Sequence, residues 1–590
     1  MASWSTEAAD ERIRQVEVKK DHLSMEETDI EKKGSDGLPA YTDTVVDVDN
    51  GGSHSVTGEL TVQRKLKARH LAMIALGGSI GTGLFVGAGS ALQSGGPVGC
   101  LLAYITMGAV IYTLMIALGE MATLFPDSGG LTHYATRFLD PAMGFTLGWN
   151  YWFSYGITLP TELVAASIII QYWNATINVS AWIAPLFVAM MVVNLLGVRA
   201  YGEMEFIFSA MKIIAVVGLI ILGICINCGA GPESDGYIGF RYWKNPGPFN
   251  QYTSGDTVVG GSWGRFLAFW NVFVQAAFSF LGSEIVVVAV GETENPRKNV
   301  PKAIKRVFWR LLIFYVLAIL IIGLLVPYTD SRLLNGSDDV SASPFVIAIL
   351  NAGIKGLPSV INAVLLIAAW SAGNSDIYAS SRTLYALALE GKAPRFFRKC
   401  TKDGMPYWSV LVTGLFGFLA FLGVGSGGAA KAFDWLFNLS SMSGLLVWWT
   451  LFITYLRFYY GMKKQGLNRD DLPYKAPFQP YASWIGTIFL SLVIIFNGFG
   501  IFVGNNFTAS KFFAAYVCIL VYVLFYGPWK LWGGERTTGS FRWLRMTKMV
   551  SLEEMDFETG RRELDEMDRV EQEKHPEPTS IIQKIWGWMF

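Results

Sequence analysis

The sequence predicts an all-α polytopic membrane protein with about twelve transmembrane helices. Three observations lead to this fold class. Of the 590 residues, 52% are hydrophobic and only 16% are charged, and the mean hydropathy is +0.36. Apolar runs of membrane-spanning length recur between short polar breaks. Two of these runs are interrupted at corresponding places by glycine and other small residues. A soluble chain of this length would carry more charge.

Each predicted span is a run of roughly 20 mainly apolar residues, because a hydrocarbon core about 30 Å thick requires a helix of that length. We number the runs 1 to 12 in chain order. They cover Leu71–Gln93, Val98–Thr123, Met143–Tyr172, Ala181–Leu196, Glu203–Asn227, Phe266–Val290, Val307–Tyr328, Pro358–Leu389, Tyr407–Val424, Phe433–Tyr460, Tyr481–Val503 and Phe512–Trp532. No apolar stretch precedes span 1, so we expect span 1 itself to direct insertion in place of a cleaved signal peptide.

Lys and Arg predict the orientation of these spans. They concentrate before span 1 and in the loops after spans 6, 8 and 10, and loops rich in these residues stay on the cytoplasmic side. An even number of spans then leaves both termini in the cytoplasm. The predicted organisation is a disordered cytoplasmic tail over 1–62, a twelve-span domain over 63–532 and a cytoplasmic tail over 533–590.

The two tails carry further expectations. Residues 1–62 are rich in Asp, Glu, Ser, Gly and Thr without a periodic apolar pattern, which is typical of disorder. Four lysines there are either solvated charge, which we favour, or targets of ubiquitin-ligase machinery. They are Lys19, Lys20, Lys32 and Lys33. In the other tail, Leu552–Gln572 alternates acidic and basic residues with helical periodicity and predicts a surface helix.

Composition also excludes several classes of function. The formal net charge is zero and the basic residues are dispersed, which argues against a nucleic-acid-binding protein. Cys225 and Cys228 form a CxxC spacing without a second pair or a nearby His, so we interpret it as chance spacing at a helix end. All five histidines lie in predicted tails or loops. We therefore expect no metal, no cofactor and no enzymatic activity.

Span 1 contains the first interruption, Gly77-Gly78-Ser79-Ile80-Gly81-Thr82-Gly83. Four glycines in seven residues weaken a continuous helix, since each costs roughly 1 kcal/mol relative to Ala. A break here would leave backbone N–H groups available to hold a carboxylate. Close helix packing through small residues explains the glycines equally well at this point.

Span 6 contains the second interruption, Phe278-Ser279-Phe280-Leu281-Gly282-Ser283-Glu284. The two breaks stand at corresponding positions of two five-span halves, about 71–227 and 266–460, and the remaining spans lie over 481–532. Paired interruptions indicate an inverted-repeat transporter. In that design a half-helix N-terminus receives a carboxylate and opposing carbonyls receive an ammonium group, so the pattern favours an amphoteric solute.

Ionisable residues inside spans mark transport pathways or proton relays, because a charge in hydrocarbon is costly. Glu162 lies in span 3, Lys212 in span 5, and Glu284 closes the span-6 break, where it could contact the solute. Snorkelling from a helix end is the alternative for Glu162 and Lys212. Lys212 and Glu162 are the candidates for proton coupling, and Lys212 is the sharper of the two because a buried lysine can release and take up a proton. We interpret Glu120, at the end of span 2, as structural.

Several motifs in order resemble one family. They are the stretch from Arg69 to Leu84, Gly119-Glu-Met-Ala122, Tyr201-Gly-Glu-Met-Glu-Phe206, Gly239-Phe-Arg-Tyr-Trp243, Glu292-Thr-Glu-Asn-Pro-Arg-Lys298, and Ser371-Ala-Gly-Asn-Ser375 followed by Ser380-Ser-Arg382. Together they resemble the fungal amino-acid permeases of the amino acid/polyamine/organocation superfamily, from about Lys65 to Trp532. The resemblance implies twelve spans with a five-plus-five inverted core, discontinuous helices 1 and 6, two peripheral helices, and proton-driven uptake at the plasma membrane.

The resemblance also implies roles for individual residues. The expected ligands of the substrate α-carboxylate are Ser79, Ile80, Gly81, Thr82 and Gly83. The expected lining of the α-amino and side-chain end is Phe278, Ser279 and Phe280. Glu162 occupies the place of the family's acid in span 3, Lys212 that of its lysine in span 5, and Asn374 that of its asparagine in span 8. The expected partners are thus an amino acid, a proton and the lipid bilayer.

Substrate range stays open among several alternatives. The stretch Thr161-Glu-Leu-Val-Ala-Ala-Ser167 looks more like broad-range members of the family, so we favour a broad or neutral range. Basic amino acids and proline remain alternatives. A different class of function is a sensor that binds an amino acid and signals without transporting it, as some members do. The intact Lys212 favours transport over that alternative.

Overall fold

The computed structural model describes residues 73–74, 77–126, 130–174, 176–232, 236–255, 257–293, 296–333, 343–423, 428–504, 507–532, 547–559 and 569. The predicted disordered tail over 1–62, with its four candidate lysines, lies outside these residues. So do the first residues of span 1.

Every predicted span lies on a helix in the described part of the chain. A π-helix, Gly83–Gly87, leads into Ala88–Leu124, and together they hold the described end of span 1 and all of span 2. Spans 3 to 7 correspond to Pro141–Ile170, Ser180–Leu195, Val198–Asn227, Gly261–Phe280 with Ile285–Val288, and Pro296–Leu325. Spans 8 to 12 correspond to Leu357–Leu389, Tyr407–Gly414 with the 3₁₀-helix Leu415–Gly423, Gly428–Lys464, Tyr481–Ile495 and Ala509–Trp532.

The lengths and compositions of the described helices are suited to crossing a bilayer. Among the described residues, 7 helices are long and apolar enough to cross a membrane, and shorter apolar helices coincide with spans 4, 7, 9 and 11. The helix of span 5 shows the expected two faces. Ile207, Ile214 and Ile221, two turns apart, are 58%, 72% and 58% exposed. Glu205 and Lys212, on the opposite face, are buried. The protein is a multi-pass helical membrane protein, and in span 5 the apolar face points outward and the charged residues point inward.

A sharp turn at Gly96, within Ala88–Leu124, separates spans 1 and 2. Gly96 has φ 72° and ψ 172°, a conformation that glycine adopts without strain. A Cβ at this position would lie 2.8 Å from the backbone nitrogen of Asn250. Pro97 follows and can begin the next helix because its missing N–H would be unpaired there anyway. The predicted boundary between Gln93 and Val98 is thus confirmed.

Several shorter elements have no counterpart in the predicted spans. They are the helices Gly130–Phe138, Arg241–Lys244 and Pro344–Asn351 and an antiparallel hairpin, Tyr252–Ser254 with Thr257–Val259. In the hairpin Tyr252 pairs with Val259. All are shorter than a bilayer-spanning helix, so a count of long apolar runs does not detect them. Among the described residues, this small hairpin is the one correction to the predicted all-α class.

The C-terminal segment Thr547–Thr559 has no helix, so the surface helix predicted over Leu552–Gln572 is wrong over 552–559, although Arg569 is helical. The physical reason is that its carbonyl groups are held by side chains of the transmembrane domain. Arg137 donates hydrogen bonds to the carbonyls of Asp556 at 2.7 Å and Thr559 at 2.9 Å. A non-helical backbone leaves its carbonyls free for such bonds, whereas a helix uses them internally.

Hydrophobic anchors hold the same segment, which we call the C-terminal strap. Met555 and Phe557 are each only 3% exposed. The ring of Phe557 lies between Phe138, 5.6 Å away, and Phe458, 5.7 Å away. Gln465, at the end of span 10, donates to the carbonyl of Met555 at 2.8 Å. The strap therefore joins the short helix before span 3 to the end of span 10.

We expect Phe557→Ala to release the strap, because truncating a buried phenylalanine costs about 3 to 5 kcal/mol. Limited proteolysis of the purified protein should then cut within 547–559 at least about tenfold faster. Glu553→Ala is the matched control, since Glu553 meets Lys464 in an ion pair whose side chains are 72% and 57% exposed, and such pairs contribute little. Equal cleavage rates in wild type and Phe557→Ala would show that the ring does not anchor the strap.

Candidate functional site

The break in span 1 falls inside the predicted glycine-rich stretch. Residues 77–79 are helical, Ile80 and Gly81 form a bend, and helical structure resumes at Thr82. The hydroxyl of Tyr315, in span 7, lies 2.6 Å from the carbonyl oxygen of Ser79. A carbonyl that leaves the helical ladder in hydrocarbon needs such a donor, because an unpaired one costs several kcal/mol. Tyr315 satisfies that need.

The break in span 6 lies against the break in span 1. The first helix of span 6 ends at Phe280, and a new helix begins at Ile285. Between them Gly282 has φ +96°, and a Cβ there would stand 2.5 Å from the carbonyl oxygen of Gly78. The Tyr315 hydroxyl also lies 2.7 Å from the carbonyl oxygen of Ser279. One tyrosine therefore sits between the two interruptions.

A small cavity of about 20 Å³ lies at this junction. The span-1 break supplies Ser79 and Gly81, and the span-6 break supplies Phe278 and Gly282. A face of span 3 carrying Tyr155, Thr158 and Glu162 forms one wall, and Ala372 and Asp376 of span 8 form another. The volume suits about one water molecule. Sites that enclose a small organic ligand are several hundred Å³ in size, so the cavity must widen to hold one.

Five of the predicted site residues line this cavity: Ser79, Gly81, Gly83, Glu162 and Phe278. Glu162 is 3% exposed, so it does not snorkel to the membrane surface. Its Oε1 accepts a hydrogen bond of 2.8 Å from the hydroxyl of Thr82, which joins span 3 to the span-1 break.

Four other predicted residues stand directly behind the lining. Thr82 contacts Glu162 as described, and Glu284 accepts a hydrogen bond of 2.7 Å from the lining residue Tyr155. The hydroxyl of Ser279 lies 2.8 Å from that of Tyr104. Phe280 packs on Tyr315 with ring centroids 4.8 Å apart. These residues position the lining without facing the cavity.

Ile80 and Asn374 lie elsewhere. Ile80 is fully buried in the apolar core. The side chain of Asn374 accepts a hydrogen bond of 2.5 Å from Asn194 in span 4. On span 8 the cavity is instead lined by Asp376, two residues later. The two side chains point to different sides of span 8, because two residues along a helix turn the side chain by about 200°.

Lys212 belongs to a separate buried cluster beside the span-1 break. Its Nζ donates a hydrogen bond of 2.6 Å to the carbonyl of Gly77 and lies 3.9 Å from Oε1 of Glu205. Lys212 is 1% exposed and Glu205 is fully buried, so the snorkelling alternative does not describe Lys212. The hydroxyl of Ser371 donates to Oε2 of Glu205 at 2.9 Å. The cluster thus connects spans 1, 5 and 8.

Glu205 is a residue that the sequence reasoning missed. It stands seven positions before Lys212 in the motif Tyr201-Gly-Glu-Met-Glu-Phe206, which is two helical turns and hence the same face. That spacing was the available signal. Glu120, by contrast, accepts from Arg469 at 2.8 and 2.7 Å and from Tyr455 at 2.8 Å, an arrangement that supports the structural interpretation.

An aromatic pair separates the cavity from a larger one. Phe278 and Phe437 stack with centroids 4.0 Å apart and an interplanar angle of 28°. Phe278 lines the small cavity, whereas Phe437 lines a second cavity of about 230 Å³ together with Asp434, Asn271 and Gln275. Parting of the two rings would connect the cavities.

Comparison with known proteins identifies the family. The family model described as amino acid permease matches residues 70–537. The chain belongs to the amino acid permease family. It is 42% identical to the basic amino-acid permease of Saccharomyces cerevisiae, over 89% of this chain and 88% of that protein. It is 40% identical to the proline-specific permease of Emericella nidulans, over 92% and 96% of the two chains.

A third relative is named as a general permease. The general amino-acid permease of Saccharomyces cerevisiae is 42% identical, over 90% of this chain and 86% of that protein. The family consists of transporters, so the protein is a transporter of amino acids and not an enzyme. The predicted resemblance is thereby confirmed.

Gly282→Ala should abolish transport, because its Cβ would meet the Gly78 carbonyl and its φ lies in the region that costs an alanine about 1 to 2 kcal/mol. Radiolabelled amino-acid uptake per transporter at the cell surface measures the effect. Gly218→Ala is the matched control, since nothing lies within 4 Å of a Cβ built there. Wild-type uptake by Gly282→Ala would mean that the contact between the breaks does not matter for transport.

Proposed function

We propose that the protein imports amino acids across the plasma membrane by proton symport and alternating access, with both termini in the cytoplasm. The observation that carries this proposal is the junction of two helix breaks around a cavity that holds buried carboxylates. A carrier needs a site that is shielded from both sides at one stage of its cycle. The small volume of the cavity fits such a stage.

We propose twelve spans, with spans 1–5 and 6–10 as inverted repeats and spans 11 and 12 as peripheral helices. The two breaks support this arrangement because Gly81 and Gly282 are about 200 residues apart and occupy the first span of each half. Substrate sites in inverted-repeat transporters lie where the discontinuous helices of the two repeats meet. The contact between Gly282 and Gly78 is the meeting point here.

The proposed binding mode uses the two breaks for the two charged ends of the amino acid. Backbone N–H groups of the span-1 break, over Ser79–Gly83, would hold the α-carboxylate, since a half-helix N-terminus favours negative charge. Carbonyls at the end of the first span-6 helix, over Phe278–Phe280, would receive the ammonium group. Glu162 places a carboxyl group beside Gly81, where a Cβ would lie 3.0 Å from its Oε1.

Lys212 is the proposed proton carrier. Its ammonium group donates to the Gly77 carbonyl, the end of the first half of span 1, where the helix dipole favours a cation. Loss of the proton would remove that attraction and leave Glu205 without its counter-ion. Because the cluster joins spans 1, 5 and 8, a change in its charge can alter how these spans pack. The ammonium group of Lys212 occupies the position at which a sodium-coupled carrier would bind its ion.

Lys212→Met should abolish accumulation against a gradient while part of the exchange activity remains, because methionine keeps the chain length but cannot carry a proton. Uptake and exchange of labelled amino acid in fungal cells or vesicles separate the two activities. Lys475→Met is the control, since Lys475 is half exposed in a surface pair with Asp470. Full concentrative uptake by Lys212→Met would eliminate the proposed coupling role.

Substrate range and transport itself need a direct measurement. A permease-deficient fungal strain expressing the protein should accumulate several labelled amino acids from a panel of neutral and basic compounds and proline. An uncoupler should collapse that accumulation, because the proton gradient drives it. Binding without accumulation would instead favour the amino-acid sensor, and accumulation that survives the uncoupler would exclude proton symport.

A further inference from the structure

The strongest unexplained feature of the described residues is an unsatisfied carboxylate in the cavity. Asp376 is 4% exposed and lines the cavity. Its Oδ2 has no hydrogen-bond donor among the described residues. A buried carboxylate oxygen without a donor is strongly unfavourable, and proteins rarely keep one without a function.

Other buried acids show how unusual this is. Six acidic side chains are buried among the described residues: Glu120, Asp140, Glu162, Glu205, Glu284 and Asp376. Four of them have partners for their carboxylates, such as Arg469 for Glu120 and Tyr155 for Glu284. The two with an oxygen that lacks a donor are Glu162 and Asp376. Both line the same cavity, so the missing donors point to a ligand.

We infer that Asp376 binds the cationic side chain of a basic amino acid, so that the transporter ranks basic substrates above neutral ones and neutral above acidic ones. This inference rests on the proposed import function and names the substrate class of the same site. A broad range is compatible with it. Within a broad range, the inference predicts unequal affinities for basic, neutral and acidic amino acids.

Position along span 8 supports a side-chain role. At the level of the proposed α-carboxylate site, a Cβ on Gly81 would lie 3.0 Å from Cβ of Ala372 and 3.0 Å from Oε1 of Glu162. Asp376 follows Ala372 by four residues, which places its Cα about 6 Å further along the helix. A substrate whose backbone lies beside Gly81 and Glu162 would therefore reach Asp376 with its side chain.

The charges around the cavity favour the same ranking. Its lining includes two carboxylates and no Lys or Arg among the described residues. The Nζ of Lys212 is already held by Gly77 and Glu205. A basic substrate brings the donor that Asp376 lacks. A dicarboxylic substrate would instead bring a further negative charge into a buried space without a counter-ion.

The first test compares lysine with norleucine in the wild-type protein, because the two have the same chain length and differ only in the terminal ammonium group. Each competes with labelled arginine for uptake in the permease-deficient strain. We expect lysine to compete at least about tenfold more strongly than norleucine, since a charge-assisted hydrogen bond in a buried site contributes about that much, and glutamate to compete least. Equal competition by lysine and norleucine would overturn the inference.

The second test is Asp376→Asn, which keeps the shape and removes the charge. We expect the KM for lysine to rise at least about tenfold while that for norleucine changes by less than about twofold. Asp376→Glu should restore much of the lysine preference, and Asp470→Asn, at an exposed position, is the control for surface expression and uptake. Equal loss of lysine and norleucine uptake in Asp376→Asn would assign the residue a structural or coupling role.

A failure of the proposed import function would give a different experimental result. A wild-type protein that accumulates none of lysine, norleucine and glutamate would contradict import itself. A wild-type protein that accumulates all of them without the predicted ranking would leave import intact and contradict only the role of Asp376.

Discussion

The hydroxyl of Tyr315 lies between two carbonyl oxygens, those of Ser79 and Ser279, that belong to different interrupted helices. Hydrocarbon offers no water to backbone groups that leave a helix, so each break requires donors from the protein itself. The two carbonyls share the single hydroxyl proton of Tyr315, and Gly282 and Gly78 are in close contact. The cavity, the acid of span 3 beside it and the lysine cluster next to it all depend on this junction.

Buried charged groups are likewise paired with partners inside the protein. Glu120 is neutralised by Arg469, and Glu205 is held by Ser371 with Lys212 nearby. Arg469 lies on the loop after span 10 and Ser371 on span 8, whereas Lys212 and Glu205 share span 5. A carrier that changes which spans are in contact must break or shift some of these pairs. In the proposed transport cycle, these contacts would link the charge of the site to the packing of the spans.

The sequence predicted part of the cavity lining, and the residues that it did not name have a physical explanation. Glycine clusters and isolated charges identified Gly81, Glu162 and Lys212 because such residues are costly in an apolar run. Asn374 was named from the family resemblance, whereas Asp376, which lines the cavity, was not named at all. Span 8 is buried nearly all round near the site. Without a polar face, periodicity cannot tell which side of a helix points into a cavity.

The sequence by itself determined the spans and the two interruptions. Bilayer thickness sets helix length, and glycine weakens a helix locally, so both properties can be read from short stretches of chain. Only the tertiary structure decided that Tyr315 contacts both breaks, that Asp376 and Glu162 share one cavity, and that the C-terminal strap is non-helical and packs against Phe138 and Phe458. These outcomes depend on contacts between residues that are far apart in the sequence, and a local pattern carries no information about which distant partner will satisfy a given group.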